Sequence, residues 1–289
     1  SDAAFILLKN PQRPAAGKST MTNIDQSALE ARLAFAIETA RTAGEAGMAH
    51  FRAIDELAIE RKGHQDLVSN ADREVEQLVR RAIAQAFPDD GVIGEEYPPE
   101  SGTSGLTWVI DPIDGTANFV RGIPAWTVVL ACSSPDDTLV GVIHDPNADE
   151  TYSALRGRGA LLNGRPMQVA KTEGLNDGSV GVGFNGRTAT RHTVRLIEML
   201  VNEGGVFYRN ASGALMLAYV AAGRLIAYAE PHMNPWDCVA GMLLIEEAGG
   251  RAFPIATATM LKDGGPVIAA APPVYDRLLD MSAEAFELK

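Results

Sequence analysis

Three observations in the amino-acid sequence predict a mixed α/β fold. Apolar residues recur at helical spacing through roughly the first 87 positions. Short apolar or alternating runs bounded by Gly, Pro, Asp and Asn fill 90–170. Helix-like and strand-like segments then alternate from about residue 175. With 289 residues and 46% hydrophobic composition, the chain can build one large domain or two modest ones.

Residues 1–24 read as an N-terminal extension, with Met21 a candidate start. Over 25–60, Leu29, Leu33, Ile37, Ala40 and Ala43 form one helical stripe, which Asp25 or Ser27 can cap. "RKGHQDLVSNAD" breaks the pattern, and "LVSN" is a short extended piece. A second helix runs from Asn70 to Phe87, with Val75, Leu78, Val79, Ala82 and Ile83 inward, and stops before the turn at Pro88. "GVIGEE", "TWVIDP", "WTVVLACS", "LVGVIHDP" and "ETYSALRG" are strands of a mostly antiparallel sheet, followed by a hairpin turning at Asn163-Gly164. Beyond a soft boundary near 170–178, strands "SVGVGF", "VFYR", "RLIAYAE" and "VIAAA" alternate with helices over 189–203, 212–223, 236–249 and to about 285. The chain is therefore divided into 25–175 and 176–289, packed as one body.

The net charge of −12 makes nucleic-acid binding through phosphate neutralisation a poor prospect. Cys132 and Cys238 form no disulfide framework and no zinc pattern, and read as buried thiols in a reducing cytoplasm. No apolar run reaches the ~18 residues of a membrane span, and residues 1–20 do not read as a secretory signal.

The segment "WVIDPIDGTANF", Trp108 to Phe119, sets two aspartates three positions apart at a strand end. Pro112 biases Asp111 away from helix. Gly115 and Thr116 then open a short helix, whose first amides can hold an anion. Carboxylates suited to a hard cation thus lie beside amides suited to phosphate. Taken alone, the segment reads rather better as an acidic turn with Asp114 as a cap. Glu95 and Glu96 after a strand, Asp72 in the first turn of the second helix and Asp237 at a later helix start change that balance. Individually these are a surface acid pair and partners of helix N-termini; a shared site explains all of them together.

These pieces closely resemble the inositol monophosphatase family of lithium-sensitive, Mg²⁺-dependent phosphatases. The resemblance rests on Gly94-Glu95-Glu96, on Asp111 to Thr116, and on Trp236-Asp237 followed by Gly241, in order over about 150 residues. "DLVSNAD", Asp66 to Asp72, is similar to a further family segment, and the match extends from about residue 25 to the C-terminus. It implies a layered αβαβα sandwich of the inositol monophosphatase/fructose-1,6-bisphosphatase type, usually a homodimer. It also implies two to three Mg²⁺ ions. Glu95, Asp111 and the Ile113 carbonyl would hold the first. Asp111, Asp114 and Asp237 would hold the second. Asp72 with Glu95 would serve a third. Thr116 with Glu95 would orient the attacking water, and the Gly115 and Thr116 amides would hold phosphate. Ser69 and Ala117 stand where the family commonly has threonine, and Arg61 or Lys62 where it often has lysine.

Substrate choice is less sharply marked. Glu230, seven residues before Asp237, stands where the family contacts a sugar hydroxyl, and reads otherwise as a solvated strand-end carboxylate. Ser212 and Gly213 fall on the family's substrate wall, and Asn185 on a bordering loop. Inositol-1-phosphate is the expected substrate. Histidinol phosphate, fructose-1,6-bisphosphate or a 3′-phosphoadenosine nucleotide are the alternatives within the fold. No basic cluster adjoins the motifs, which weighs against the last two. A regulatory protein that binds a partner, with secondary catalysis, is the alternative of another class.

Overall fold

The computed structural model describes residues 25–54, 59–63 and 66–288, and the side chains of 59–63 and 66–68 fall outside that description. The expectations for residues 1–24 and for the side chains of Arg61, Lys62 and Asp66 therefore lie outside the described residues.

Helix α1 (Gln26–Arg52) starts at Asp25, whose side chain accepts the Ser27 amide. It ends well before residue 60, and strand β1 (Ile59–Gly63) pairs antiparallel with β2 (Asp66–Ser69). Helix α2 (Asn70–Ala86) is capped by Ser69 in a reciprocal box with Asp72. Six strands follow β3 (Gly91–Gly94): β4 (Thr107–Asp114), β5 (Thr127–Ser133), β6 (Thr138–Asp145), β7 (Glu150–Leu155), β8 (Ala160–Leu162) and β9 (Arg165–Pro166). They form one seven-stranded sheet in sequence order, with only β3–β4 parallel. Asn163 and Gly164, both at positive φ, make the β8–β9 turn.

The second sheet has the order β11-β10-β12-β14-β13. Its strands are β10 (Ser179–Val182), β11 (Val206–Tyr208), β12 (Ala227–Met233), β13 (Arg251–Ala252) and β14 (Gly265–Ala270). The parallel pairs β10–β11 and β10–β12 meet the antiparallel pairs β12–β14 and β13–β14. The remaining helices are α3 (Thr116–Phe119), α4 (Thr190–Asn202), α5 (Gly213–Ala221), α6 (Pro235–Glu247), α7 (Thr257–Asp263) and α8 (Pro272–Phe286).

Helices α1 and α2 cover one face of the first sheet. Helices α5 and α6 lie between the two sheets, and α4 and α8 cover the far face of the second. These are the five layers, αβαβα. Strand sequences report the layering directly, because side chains alternate across a sheet. On β5, Val128, Leu130 and Cys132 join the core beneath α1 and α2, while Val129 and Ala131 join the core around α5 and α6. On β14, Val267 and Ala269 face that inner core, and Ile268 and Ala270 face α8. Burial on both faces is why these strands read as unbroken apolar runs.

Two glycines let α6 sit at the centre. A Cβ on Gly241 would lie 2.5 Å from the Leu217 Cβ on α5, and one on Gly141 of β6 would lie 3.0 Å from the Ala240 carbonyl. Among the described residues no helix is long and apolar enough to cross a membrane. Cys132 and Cys238 are buried and unbridged.

Candidate metal centre

Strand β4 carries two of the acidic residues, and an irregularity decides where they point. Asp111 pairs with Val129 and Asp114 with Thr127, so β4 holds one residue more than β5 between them. Regular alternation would put positions three apart on opposite faces. The bulge at Pro112-Ile113 turns Asp114 back, and both aspartates line one cleft. A proline, lacking an amide hydrogen, suits this break in the ladder. The Ile113 amide donates to Asp111 Oδ1 at 3.0 Å, so an Asx-type turn is part of the same arrangement.

Opposite lies a matching bulge. On β12, Glu230 pairs with Val267 and Met233 with Gly265, with Pro231-His232 between. Glu230 and Met233 line the same cleft, whose volume is about 150 Å³.

Glu95, just beyond β3, Asp111 on β4 and Asp237 in the first turn of α6 converge. One carboxylate oxygen from each lies within 4.8 Å of the others. Burial, then the charges of Glu95, Asp114 and Asp237, push the Asp111 pKa well up. Burial, then Asp114 and Glu230, push Asp237 up to about 7. Asp111 is buried and Glu95 and Asp237 are half-buried, and carboxylates this close repel one another until protons or a cation come between them. Their donor set is oxygen only, which fits Mg²⁺ and similar hard cations rather than zinc or copper. Glu95, Asp111 and Asp237 could hold such an ion.

Asp114 lines the cleft but belongs to a different set of contacts. It accepts hydrogen bonds from the Ser212 hydroxyl, from the Gly213 amide at 3.2 Å and from the Ala214 amide at 2.9 Å. It thus caps α5, a helix a hundred residues downstream, and part of its charge is answered by that helix N-terminus. Ser212 is fully buried against Asp114, whereas Gly213 reaches the cleft wall.

Asp72 is fully buried. Its Oδ2 accepts the Ser69 amide and hydroxyl, and its Oδ1 accepts the Thr116 hydroxyl at 3.0 Å. The Thr116 hydroxyl also lies 3.1 Å from the Ile113 carbonyl oxygen. Desolvation raises the Asp72 pKa against these hydrogen bonds. Gly115 precedes α3 at φ 98°, a conformation glycine adopts without strain, and a Cβ there would lie 2.9 Å from the Ala125 carbonyl. Gly115, Thr116 and Ile113 all line the cleft.

Glu230 is buried, not solvated. Tyr228 donates to its Oε2, Asn185 donates to its Oε1 at 2.8 Å, and burial raises its pKa to about 7. Asn185 lines the cleft itself and also donates to Glu230 on its wall. The structure also brings in groups that the sequence motifs did not mark. Arg187 and Arg209 line the cleft from segments distant from every acidic motif, beside Met216 and Met233. The Arg209 charge opposes the rise at Glu230. The lack of basic residues beside the motifs thus gave the wrong picture of the cleft wall, because folding supplies them from elsewhere. One signal was available: Arg209 stands three residues before Ser212.

A model of the inositol monophosphatase family matches residues 28–286. An inositol-1-monophosphatase of Rhizobium meliloti is 38% identical over 211 residues, 72% of this chain and 79% of the relative. A Nus factor SuhB of Xylella fastidiosa is 37% identical over 234 residues, 80% of this chain and 85% of the relative. The crystal structure of the extragenic suppressor protein SuhB from Bartonella henselae superposes with a TM-score of 0.82 at 29% identity, covering 89% of this chain and 99% of that one. The layered architecture, the converging acidic motifs and a match over nearly the whole chain place this protein in the inositol monophosphatase family.

Proposed function

We propose that the protein is a Mg²⁺-dependent phosphatase that hydrolyses a small phosphate monoester, inositol-1-phosphate or a close polyol analogue. The observation that carries the reading is the convergence of Glu95, Asp111 and Asp237 beside a wall formed by Gly213, Asn185 and Glu230. When bound, Mg²⁺ supplies Lewis-acid chemistry, drawing charge from phosphoryl oxygens and acidifying water. Glu95, Asp111 and the Ile113 carbonyl would hold one ion, and Asp111, Asp114 and Asp237 a second. Asp72 with Glu95 would serve a third.

The remaining work belongs to the chain. Thr116, its hydroxyl oriented by Asp72, holds the attacking water with Glu95. The Gly115 and Thr116 amides seat the phosphoryl oxygens. The attacking water releases a proton as its oxygen bonds phosphorus and the ester P–O bond breaks, and the leaving alkoxide takes up a proton, so that one water is consumed per ester. In this reading water attacks phosphorus directly and no phosphoenzyme forms. Glu230, steadied by Tyr228 and Asn185, accepts a hydrogen bond from a substrate hydroxyl.

Arg187 and Arg209 favour a second reading on the same scaffold, in which the substrate carries another anionic group. Relatives named Nus factors favour a partner-binding role beside catalysis. A homodimer is proposed through the edge strand β11, where Val206, Phe207 and Tyr208 are exposed.

The test is phosphate release from inositol-1-phosphate, histidinol phosphate, fructose-1,6-bisphosphate and the adenosine 3′,5′-bisphosphate. Fastest turnover is expected on inositol-1-phosphate, with inhibition by Li⁺. Activity that survives complete chelation overturns the mechanism; preference for a bisphosphate moves the reading to the second form.

A further inference from the structure

Helix α2 buries a carboxylate that the proposed chemistry leaves unused. Glu76 is fully buried. Its Oε1 accepts Arg80 Nε at 2.7 Å, and its Oε2 accepts the backbone amide of Glu96 at 2.8 Å. The guanidinium of Arg80 continues outward, with one nitrogen 3.1 Å from the Tyr97 carbonyl and another 2.8 Å from Glu100 Oε1. Three points along 96–100 are thus tied to two residues one helical turn apart.

The glycine before Glu95 belongs to the same contact. A Cβ on Gly94 would fall 2.2 Å from Glu76 Oε1, inside the volume the carboxylate occupies. Gly94 is therefore the residue that lets Glu76 approach the chain at the end of β3. One turn nearer its N-terminus, α2 presents Asp72 to the Thr116 hydroxyl. Both walls of the carboxylate cluster are accordingly referenced to one helix, Glu95 through Glu76 and the DPIDGT segment through Asp72.

We infer that Glu76 and Arg80 are positioning residues that fix the Glu95 carboxylate within the cation-binding cluster. Glu95 follows the last residue of β3, Gly94. The amide of the residue after it is held by the buried Glu76 carboxylate, which Arg80 orients. The charge-assisted N–H···O bond sets the 95–96 peptide plane, and that plane sets where the Glu95 side chain leaves the backbone. This inference rests on the reading that the cluster binds a divalent cation.

The experiment measures Mn²⁺ binding to the whole protein by electron paramagnetic resonance and calorimetry, together with turnover over a metal titration. Glu76→Gln keeps the shape but sets an amide donor against either the Glu96 amide or Arg80. Mn²⁺ affinity is expected to fall by roughly 10- to 100-fold. Turnover at saturating metal should fall far less, because the ligands themselves are intact. Arg80→Lys, which keeps charge but loses the fork, should weaken Mn²⁺ less than Glu76→Gln does. Should Glu76→Gln fail to fold, Gly94→Ala forces the same displacement without removing a charge, and Arg80→Lys still reports.

Folded variants with wild-type Mn²⁺ affinity overturn the clamp. A wild-type protein that binds no Mn²⁺, or binds it as well after Asp111→Asn, overturns the cation reading instead.

Discussion

Asp111 shows most plainly that this site is built against its own stability. It is almost wholly buried and faces Glu95, Asp114 and Asp237. Asp111→Asn removes one charge at constant shape, and its amide oxygen can still accept the Ile113 amide. Turnover should fall by roughly two orders of magnitude or more, since on the proposed reading a ligand is lost. The metal-free protein should gain stability, about 1 kcal/mol or more, because burying mutually repelling carboxylates is costly. Steady-state kinetics and denaturant unfolding in chelator check the two halves. Near-wild-type turnover would remove Asp111 from the centre. Thr116 supports a different expectation. Its hydroxyl donates toward Asp72 and Ile113, and its oxygen keeps lone pairs for a water. Thr116→Ala should lower kcat by roughly 10- to 100-fold with little change in KM, and Thr116→Ser should recover much of it. An unchanged kcat would count against water positioning.

At the level of elements, the cleft is made by two proline-containing bulges, Asp111-Pro112-Ile113-Asp114 on β4 and Glu230-Pro231-His232-Met233 on β12. Each breaks the two-residue alternation, so that side chains three apart share one face. The inner helices are fitted as tightly. Gly241→Ala drives a Cβ to within 2.5 Å of the Leu217 Cβ, in a core with no flexible chain end to yield. It should destabilise the fold by about 1–3 kcal/mol, read as a lower denaturant midpoint at constant slope. An unaltered midpoint would mean that α5 and α6 can separate without cost. These elements also show what was legible beforehand. The long helices, the strands of the first sheet and the Asn163-Gly164 turn were readable, because each has its own period or turn chemistry. Strand β13, two residues long, and helix α7, seven residues long, are too short to show a period. Strand β1 was hidden at the end of a helical stripe. Asp111, Asp237 and Glu95 were legible as carboxylates beside apolar runs. The capping of α5 by Asp114 was not, because it joins segments a hundred residues apart. Arg187 and Arg209 were missed because neither adjoins an acidic motif, although each stands within three residues of a substrate-side position, Asn185 or Ser212. A proline inside each strand could have announced the bulges.

For the molecule as a whole, the cleft lies where both sheets and α6 meet, so its ionisation state is linked to global stability. In the metal-free protein, burial first and the Asp114 charge with it hold Glu230 and Asp237 at about 7. In the unfolded chain they ionise near their ordinary values of 4.5 and 3.8. Between those values and pH 7 the folded chain binds more protons than the unfolded one. Stability must therefore fall as pH rises through that window and level off above about 7. For Glu230 alone the change is about 3 kcal/mol. A cation needs the ionised carboxylates, so its binding strengthens over the same range, adding about 2.7 kcal/mol at a hundredfold excess over Kd. Thermal unfolding in chelator should give a Tm that declines from pH 5 to pH 7.5. Added Mg²⁺ should flatten or reverse that decline. Glu230→Gln should reduce the slope in chelator while leaving the response to Mg²⁺. Asp237→Asn should reduce both, because Asp237 is an acid with a raised pKa and, on the proposed reading, a ligand. A Tm in chelator that rises steadily from pH 5 to pH 7.5 would show that these two carboxylates do not hold their protons in the folded protein.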